Sequence, residues 1–256
     1  LYETENTMKW RVESVKNYYE MKEKSMVIGI LGGMGTFATI NMFKQYAEVF
    51  PAEKEWDRPR ILIDNRCTMP SRVRAFLYNE NTEKLVNQMA DSMNHLLEAG
   101  CNKIILACNT SHLFLNKIYE KYPQLENSVQ NIINNCADKV IEDGNKEIYL
   151  LGSEGTIESK VYQNAFIERG GVQCNVPKQD EYSDLRDCIE AVKQDKYTSE
   201  TKKKFLNLVN RYEACILGCT ELPILYEKYC NDIECKKIYD PVMITLEKLK
   251  KEYDNE

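Results

Sequence analysis

The sequence predicts an α/β fold made of two pseudo-symmetric, three-layer α/β domains, each around a mostly parallel sheet. Three observations carry this. From Met26 onward, apolar runs of strand length alternate with helical stretches, the rhythm of a parallel sheet covered on both faces. The rhythm restarts at "KEIYLLG", Lys146 to Gly152. The restart also resembles the beginning: "IGILGGMGT" (28–36) and "IYLLGSEGT" (148–156) each read as strand, Gly-x-x-Gly-Thr turn and helix. Each half then ends on a strand running into a cysteine, "IILACNTSH" (104–112) and "CILGCTEL" (215–222). The intervals agree, with 73 residues from Gly35 to Cys108 and 64 from Gly155 to Cys219. Internal similarity of this kind points to a duplicated unit that offers the same two loops at its strand ends.

Taken in order, residues 1–25 are polar, begin without Met, and space Trp10, Val12, Val15, Tyr18 and Met21 as a loose helix would. They read as an N-terminal extension expected to be helical. The first domain, 26–130, opens with the strand "MVIGIL" and a helix from Thr36. It continues with the strand "RILIDN", a helix over about 83–99, the strand "NKIILA" and a helix after Ser111. The second, 131–235, opens at "KEIYLLG" with a helix from Thr156 and a short strand near "VQCNV". Helices over 185–192 and 201–212 and the strand "ACILG" complete it. The segment 236–256 is free to return to the first domain.

Composition narrows the function classes. The chain of 256 residues is long enough for two such domains and carries a formal net charge of −6, which argues against a nucleic-acid partner. No apolar run approaches membrane-spanning length and the polar start holds no secretory core, so a cytoplasmic protein without a membrane partner is expected. Ten cysteines with no C-x-x-C spacing do not form a disulfide framework. Cys101, Cys136, Cys174 and Cys188 fall within helical or strand-edge patterns, where a small buried hydrophobe is expected.

Gly33-x-Gly35-x-x-Ala38, with Glu55 and Asp57 about 20 residues on, fits the dinucleotide fingerprint. The second copy weakens this reading, because Ser153 replaces the middle glycine and Glu154 would repel a pyrophosphate. What both copies keep is Gly-Thr at a helix start, where free N–H groups and a hydroxyl suit a smaller anion.

Cys108 and Cys219 each stand at the carboxyl end of an expected parallel strand, the edge where open α/β sheets bind ligands. If the halves face each other, two thiols flank one cleft and can remove a proton from one face of a carbon and deliver one to the other. Helix N-termini nearby would lower a thiol towards neutral pH. Two other readings stay open. Cys108, His112, Cys215 and Cys219 have spacings compatible with zinc, although Cys215 starts an apolar strand. Cys108 with His112 as base is a nucleophile pattern, which leaves Cys219 without a role.

With "GILGGMGTFAT", "MPSRVRAF", "ACNTSHLF", "GTIESKVYQNAF", "GCTEL" and "YDPV" in this order, the chain resembles the cofactor-independent aspartate/glutamate racemases, the aspartate branch in particular, from about Met26 to the C-terminus. Glutamate racemases differ at Gly33-Met34-Gly35 and Glu221. The resemblance implies an active site between the domains, a homodimer, and Cys108 and Cys219 as the catalytic pair. Arg72 and Lys193 would hold a substrate side-chain carboxylate. Asn109, Thr110, Thr156 and Thr220 would bind the α-carboxylate, Met34 and Glu221 would line the substrate site, and His112 and Glu221 could assist proton placement on their neighbouring cysteines. Two departures from the family pattern are Ser71-Arg72-Val73, where many relatives have Asp-Arg-Thr, and Glu154, where they have a neutral residue.

The expected activity is racemisation of aspartate or a related acidic amino acid by two thiols, with no cofactor and no metal. Glutamate or a broader set of amino acids is the alternative substrate class. A non-catalytic amino-acid-binding protein is the alternative of another kind.

Overall fold

The computed structural model describes residues 26–256; the helix expected within residues 1–25 lies outside them. The first half contains β1 (Val27–Gly32), α1 (Thr36–Val49), β2 (Arg60–Asn65), α2 (Arg72–Tyr78), α3 (Thr82–Glu98), β3 (Lys103–Leu106), α4 (Leu115–Lys121), β4 (Val129–Gln130) and α5 (Ile132–Glu142). The second contains β5 (Glu147–Gly152), α6 (Glu154–Glu158), α7 (Val161–Arg169), β6 (Gln173–Asn175), α8 (Tyr182–Lys193), α9 (Ser199–Val209), β7 (Ala214–Gly218), α10 (Leu222–Tyr229), β8 (Lys237–Tyr239) and α11 (Pro241–Asp254).

Every strand pairing is parallel, in the orders β2-β1-β3-β4 and β6-β5-β7-β8. The two halves therefore repeat one topology. The central strands are continuous apolar runs because both of their faces are covered. Ile28 and Ile30 of β1, Ile105 of β3, Ile148 and Leu150 of β5 and Ile216 of β7 point to one side. There they meet Met42 and Tyr46 of α1, Val140 of α5, Phe166 of α7 and Leu246 of α11 in a single cluster shared by both halves. The alternate residues point the other way. Leu31, Ile104 and Leu106 pack under α3, and Leu151, Cys215 and Leu217 pack under α8 and α9. At about 1.5–3 kcal/mol per fully buried Ile, Leu or Phe side chain, the shared cluster sets how the halves sit against each other.

The closing helix of each half is capped alike. Asn131 Oδ1 accepts from Ile133 N and Asn134 N at the start of α5, and Asp240 Oδ1 accepts from Val242 N and Met243 N at the start of α11. Such a cap satisfies donors that the first helical turn cannot. The two helices meet through Asn135, whose Nδ2 donates to Thr245 Oγ1 (3.2 Å) while its Oδ1 accepts from Lys248 Nζ (2.9 Å). Beyond residue 236 the chain first adds β8 beside β7 and then lays α11 against α5 and α1.

The helix expected from Thr156 is two helices. Lys160 adopts φ 55° between α6 and α7, and the turn brings Tyr162 and Phe166 into the shared cluster. No helix of the described residues is long and apolar enough to cross a membrane.

Gly33 and Gly144 both have positive φ, +79° and +75°, but only Gly33 is crowded. A β-carbon there would lie 2.3 Å from the Arg66 carbonyl carbon, whereas one on Gly144 would meet nothing within 4 Å. Gly144→Ala is expected to cost about 1–2 kcal/mol of stability, the left-handed penalty alone. Gly33→Ala adds a clash costing about 1–3 kcal/mol more. Urea unfolding of both variants checks this, and equal losses would contradict it.

Candidate active site

Cys108 lies just past β3 and Cys219 directly follows β7, at matching ends of the two sheets. The loops that carry them cross between the halves. A β-carbon on Gly155 would stand 2.9 Å from Thr110 Cγ2, and one on Gly35 would stand 2.8 Å from Glu221 Oε1. Each Gly-Thr turn thus keeps its glycine because a side chain of the opposite half occupies the space a β-carbon would need.

Around Cys108 the crossing is made by hydroxyls. Thr110 Oγ1 bonds Ser153 Oγ and Thr156 Oγ1, both at 2.9 Å. Ser153 also caps α6, accepting from Thr156 N at 3.3 Å. Tyr162 OH donates to Asn109 Oδ1 at 2.6 Å, and Thr220 Oγ1 donates to the Ala107 carbonyl at 3.1 Å. Asn109 Nδ2 is buried and finds no acceptor among the described residues.

Around Cys219 the groups are charged. Its Sγ donates to Glu221 Oε2 at 3.0 Å. Glu221 is only 2% exposed, and its Oε1 has no hydrogen-bond partner among the described residues. Burial raises the Glu221 carboxyl above its ordinary range, against the opposing pull of the Cys219 hydrogen bond and the Lys193 and Arg72 charges. Arg72 Nη2 donates to the Met34 carbonyl (2.7 Å) and Nη1 to the Pro70 carbonyl (3.1 Å), leaving a buried Nε without an acceptor among the described residues. Met34 takes part through this carbonyl. Lys193 Nζ bonds Glu190 Oε1 at 2.8 Å.

The lowering of a thiol towards neutrality that strand-end cysteines suggest is not what Cys219 receives. Burial pushes it well above the ordinary thiol value, and the Glu221 charge and hydrogen bond push it further, with Cys108 adding and Lys193 opposing. The two thiols are thus within electrostatic reach of each other. Burial is the larger cause, and the neighbouring Glu221 carboxylate acts in the same direction.

Other expected partners sit elsewhere. His112 Nδ1 bonds the Cys108 carbonyl at 3.0 Å, not its sulfur. Cys215 is fully buried with its Sγ towards the Val209 carbonyl, 3.6 Å away, so it packs in the core of the second half. Glu55 and Asp57 form a 3-10 turn ahead of β2, at the strand's amino end, opposite to where a ribose partner belongs. Glu154 is paired with Arg186, which neutralises the charge that the sequence places beside the turn. Ser71 caps α2, accepting from Arg74 N.

A cleft of about 400 Å³ adjoins this constellation. Ser71, Val73 and Leu77 wall one side, and Ser153, Ile189 and Lys193 the other. Sequence reasoning did not single out Ser153 or Tyr162. Ser153 was legible only as a missing glycine, and Tyr162 gave no signal, because its partner Asn109 is 53 residues away.

Residues 31–249 match the family model described as Asp/Glu/Hydantoin racemase. The broad specificity amino-acid racemase RacX of Bacillus subtilis is 25% identical over 217 residues, covering 81% of this chain and 90% of its own. A glutamate racemase of Aquifex aeolicus is 25% identical over 184 residues, 68% of this chain and 67% of its own. Among solved structures, an aspartate racemase of Picrophilus torridus superposes with TM-score 0.74 at 24% identity, covering 90% of this chain and 98% of that one. A glutamate racemase of Thermus thermophilus superposes at 0.63 with 18% identity, covering 91% and 82%. These two likenesses show the fold.

Burial pushes the His112 imidazole down from 6.5 to about 4. The unfolded chain therefore takes up a proton near pH 6.5 that the folded chain refuses until about pH 4, and stability falls as pH drops through that window. The loss is about 3 kcal/mol. Glu221 and Asp240, raised by burial, act in the opposite sense, so the measurement is a comparison. Between pH 7 and pH 4 the native chain is expected to lose more unfolding free energy than His112→Asn, and parallel curves would contradict this.

Proposed function

The chain belongs to the Asp/Glu/hydantoin racemase family, and we propose that it racemises an acidic amino acid, aspartate foremost, with Cys108 and Cys219 as the two bases. The observation that carries this reading is a pair of buried donors without acceptors among the described residues, Asn109 Nδ2 beside Cys108 and Arg72 Nε within electrostatic reach of Glu221. A buried donor left unpaired costs about 1–3 kcal/mol, and a ligand bearing two carboxylates relieves both.

The chemical difficulty is the weak acidity of the α-carbon. One thiolate takes the α-hydrogen while the opposite thiol protonates the other face. As the C–H bond breaks, negative charge spreads into the α-carboxylate, where fixed donors in a water-poor site stabilise it. Asn109 Nδ2 suits that role, and the Tyr162 hydrogen bond to its Oδ1 supports the reading by fixing the amide. Arg72 and Lys193 supply cations for the side-chain carboxylate. The planar fork of Arg72 suits bidentate binding, and the half-exposed Lys193–Glu190 pair is weak enough to exchange for a substrate. The chemistry of this reading uses protein groups alone.

A second substrate range is favoured by the cleft. Val73, Leu77, Leu185 and Ile189 give it an apolar wall, which accepts neutral side chains, and the Bacillus subtilis relative is named for broad specificity.

A panel of L-amino acids followed by chiral chromatography is expected to show aspartate as the best substrate; a faster neutral amino acid would favour the second range. Cys108→Ser and Cys219→Ser should each lower racemisation by at least about 100-fold, the usual worth of a general acid or base. Arg72→Lys should raise KM for aspartate by about tenfold or more, since a hydrogen bond to a charged group contributes about 1.5–3 kcal/mol. An unchanged KM would remove Arg72 from the substrate site.

A further inference from the structure

The two Gly-Thr turns are built alike but differ in the residue before the second glycine. In the first half it is Met34, which is buried; in the second it is Glu154, which is partly exposed and paired with Arg186. Glu154 opens α6 at the junction of the halves. A β-carbon on the next residue, Gly155, would stand 3.3 Å from Val73 Cα, so this turn abuts the start of α2, the helix that carries Arg72.

The cleft runs between α2 and α8, and both members of the Glu154–Arg186 pair line it. Arg186, Ile189 and Lys193 share one face of α8 at i, i+3 and i+7. Lys193 therefore stands two turns beyond Arg186, about 10 Å along the helix. It marks the inner end, within electrostatic reach of Cys219 and Glu221. Arg186 marks the outer end, within reach of Tyr78 from the opposite half.

Under the acidic-amino-acid reading above, Arg72 and Lys193 hold the side-chain carboxylate of aspartate at the inner end. A longer dicarboxylic amino acid carries that carboxylate further out, and its extra methylenes meet Val73, Leu77 and Ile189. Such an apolar wall accepts methylenes and discriminates weakly by length. Selection must then come from charge, and Arg186 is the cation that would receive the displaced carboxylate. Glu154 already occupies it. The other cation of the wall, Arg74, is likewise engaged, by Glu80 at 2.5 Å.

We propose that Glu154 is a specificity-determining residue: by holding Arg186 it denies the cleft a second carboxylate anchor and restricts dicarboxylic substrates to the short one. This rests on the acidic-amino-acid reading. Glu154 is the less exposed member of the pair, 26% against 61% for Arg186, so the turn fixes the carboxylate and the guanidinium comes to it. Removing an attraction that the wrong substrate would use is a recognised route to selectivity.

The experiment compares racemisation of L-aspartate with that of L-2-aminoadipate, which has two more methylenes, and reads the ratio of their kcat/KM values within each variant, so that a loss of folded protein cancels. The native chain is expected to prefer aspartate. Glu154→Gln, which keeps the shape and removes the charge, should raise the ratio in favour of 2-aminoadipate by about tenfold. The gain should lie in KM, because Arg186 would hold the distal carboxylate equally in ground and transition states. Adding Arg186→Ala to Glu154→Gln should return the ratio to the native value, and Glu154→Asp, which keeps the charge, should shift it less than Glu154→Gln. An unchanged ratio in Glu154→Gln, or a gain that survives the loss of Arg186, overturns the proposal and leaves the aspartate reading standing. A native chain that racemises no dicarboxylic amino acid refutes that reading, and this proposal with it.

Discussion

The site depends on a reciprocal crossing in which each half's cysteine loop presses a side chain against the glycine turn of the other. Thr110 fills the space above Gly155, and Glu221 fills that above Gly35. Neither half completes its own cysteine environment. Ser153, Thr156 and Tyr162 of the second half surround the loop after Cys108, while Met34 and Arg72 of the first half hold the region facing Cys219 and Glu221. The shared apolar cluster beneath holds this crossing in register, because α1, α5, α7 and α11 contribute to it together.

Burying Glu221 is the costly element of this arrangement. A buried carboxylate loses several kcal/mol of hydration even after relaxation, and its surroundings recover part of that through the Cys219 hydrogen bond and the charges of Lys193 and Arg72. The same carboxylate makes the neighbouring thiolate harder to form. The two ends of the duplicated cleft therefore differ in kind, one built from neutral hydroxyls and one from paired charges.

Much of this was legible in the sequence. The apolar alternation and the repeated turn gave the two parallel sheets, since continuous apolar strands and helix-opening glycines act locally. The two-residue β4 and three-residue β8 left no periodic signal, and they exist because β3 and β7 offer them an edge. Cys108 and Cys219 stood out through their duplicated place at strand ends and through the family resemblance. The reason for Gly35 and Gly155 was hidden, because the atoms that crowd them lie 186 and 45 residues away in the chain. The direction of the Cys219 shift was hidden likewise, since burial is a tertiary property. Glu154 looked hostile to an anionic substrate only because Arg186, two helices later, could not be placed beside it.

The central claim is that two thiols address one α-carbon from opposite faces. Its most direct measurement is the isotope content of both enantiomers early in the racemisation of L-aspartate in D₂O. The account predicts that nearly every D-aspartate molecule carries one deuterium at the α-carbon while the remaining L-aspartate stays unlabelled. D-Aspartate that retains the original hydrogen, or L-aspartate that gains deuterium as fast as product forms, would mean that one base serves both faces.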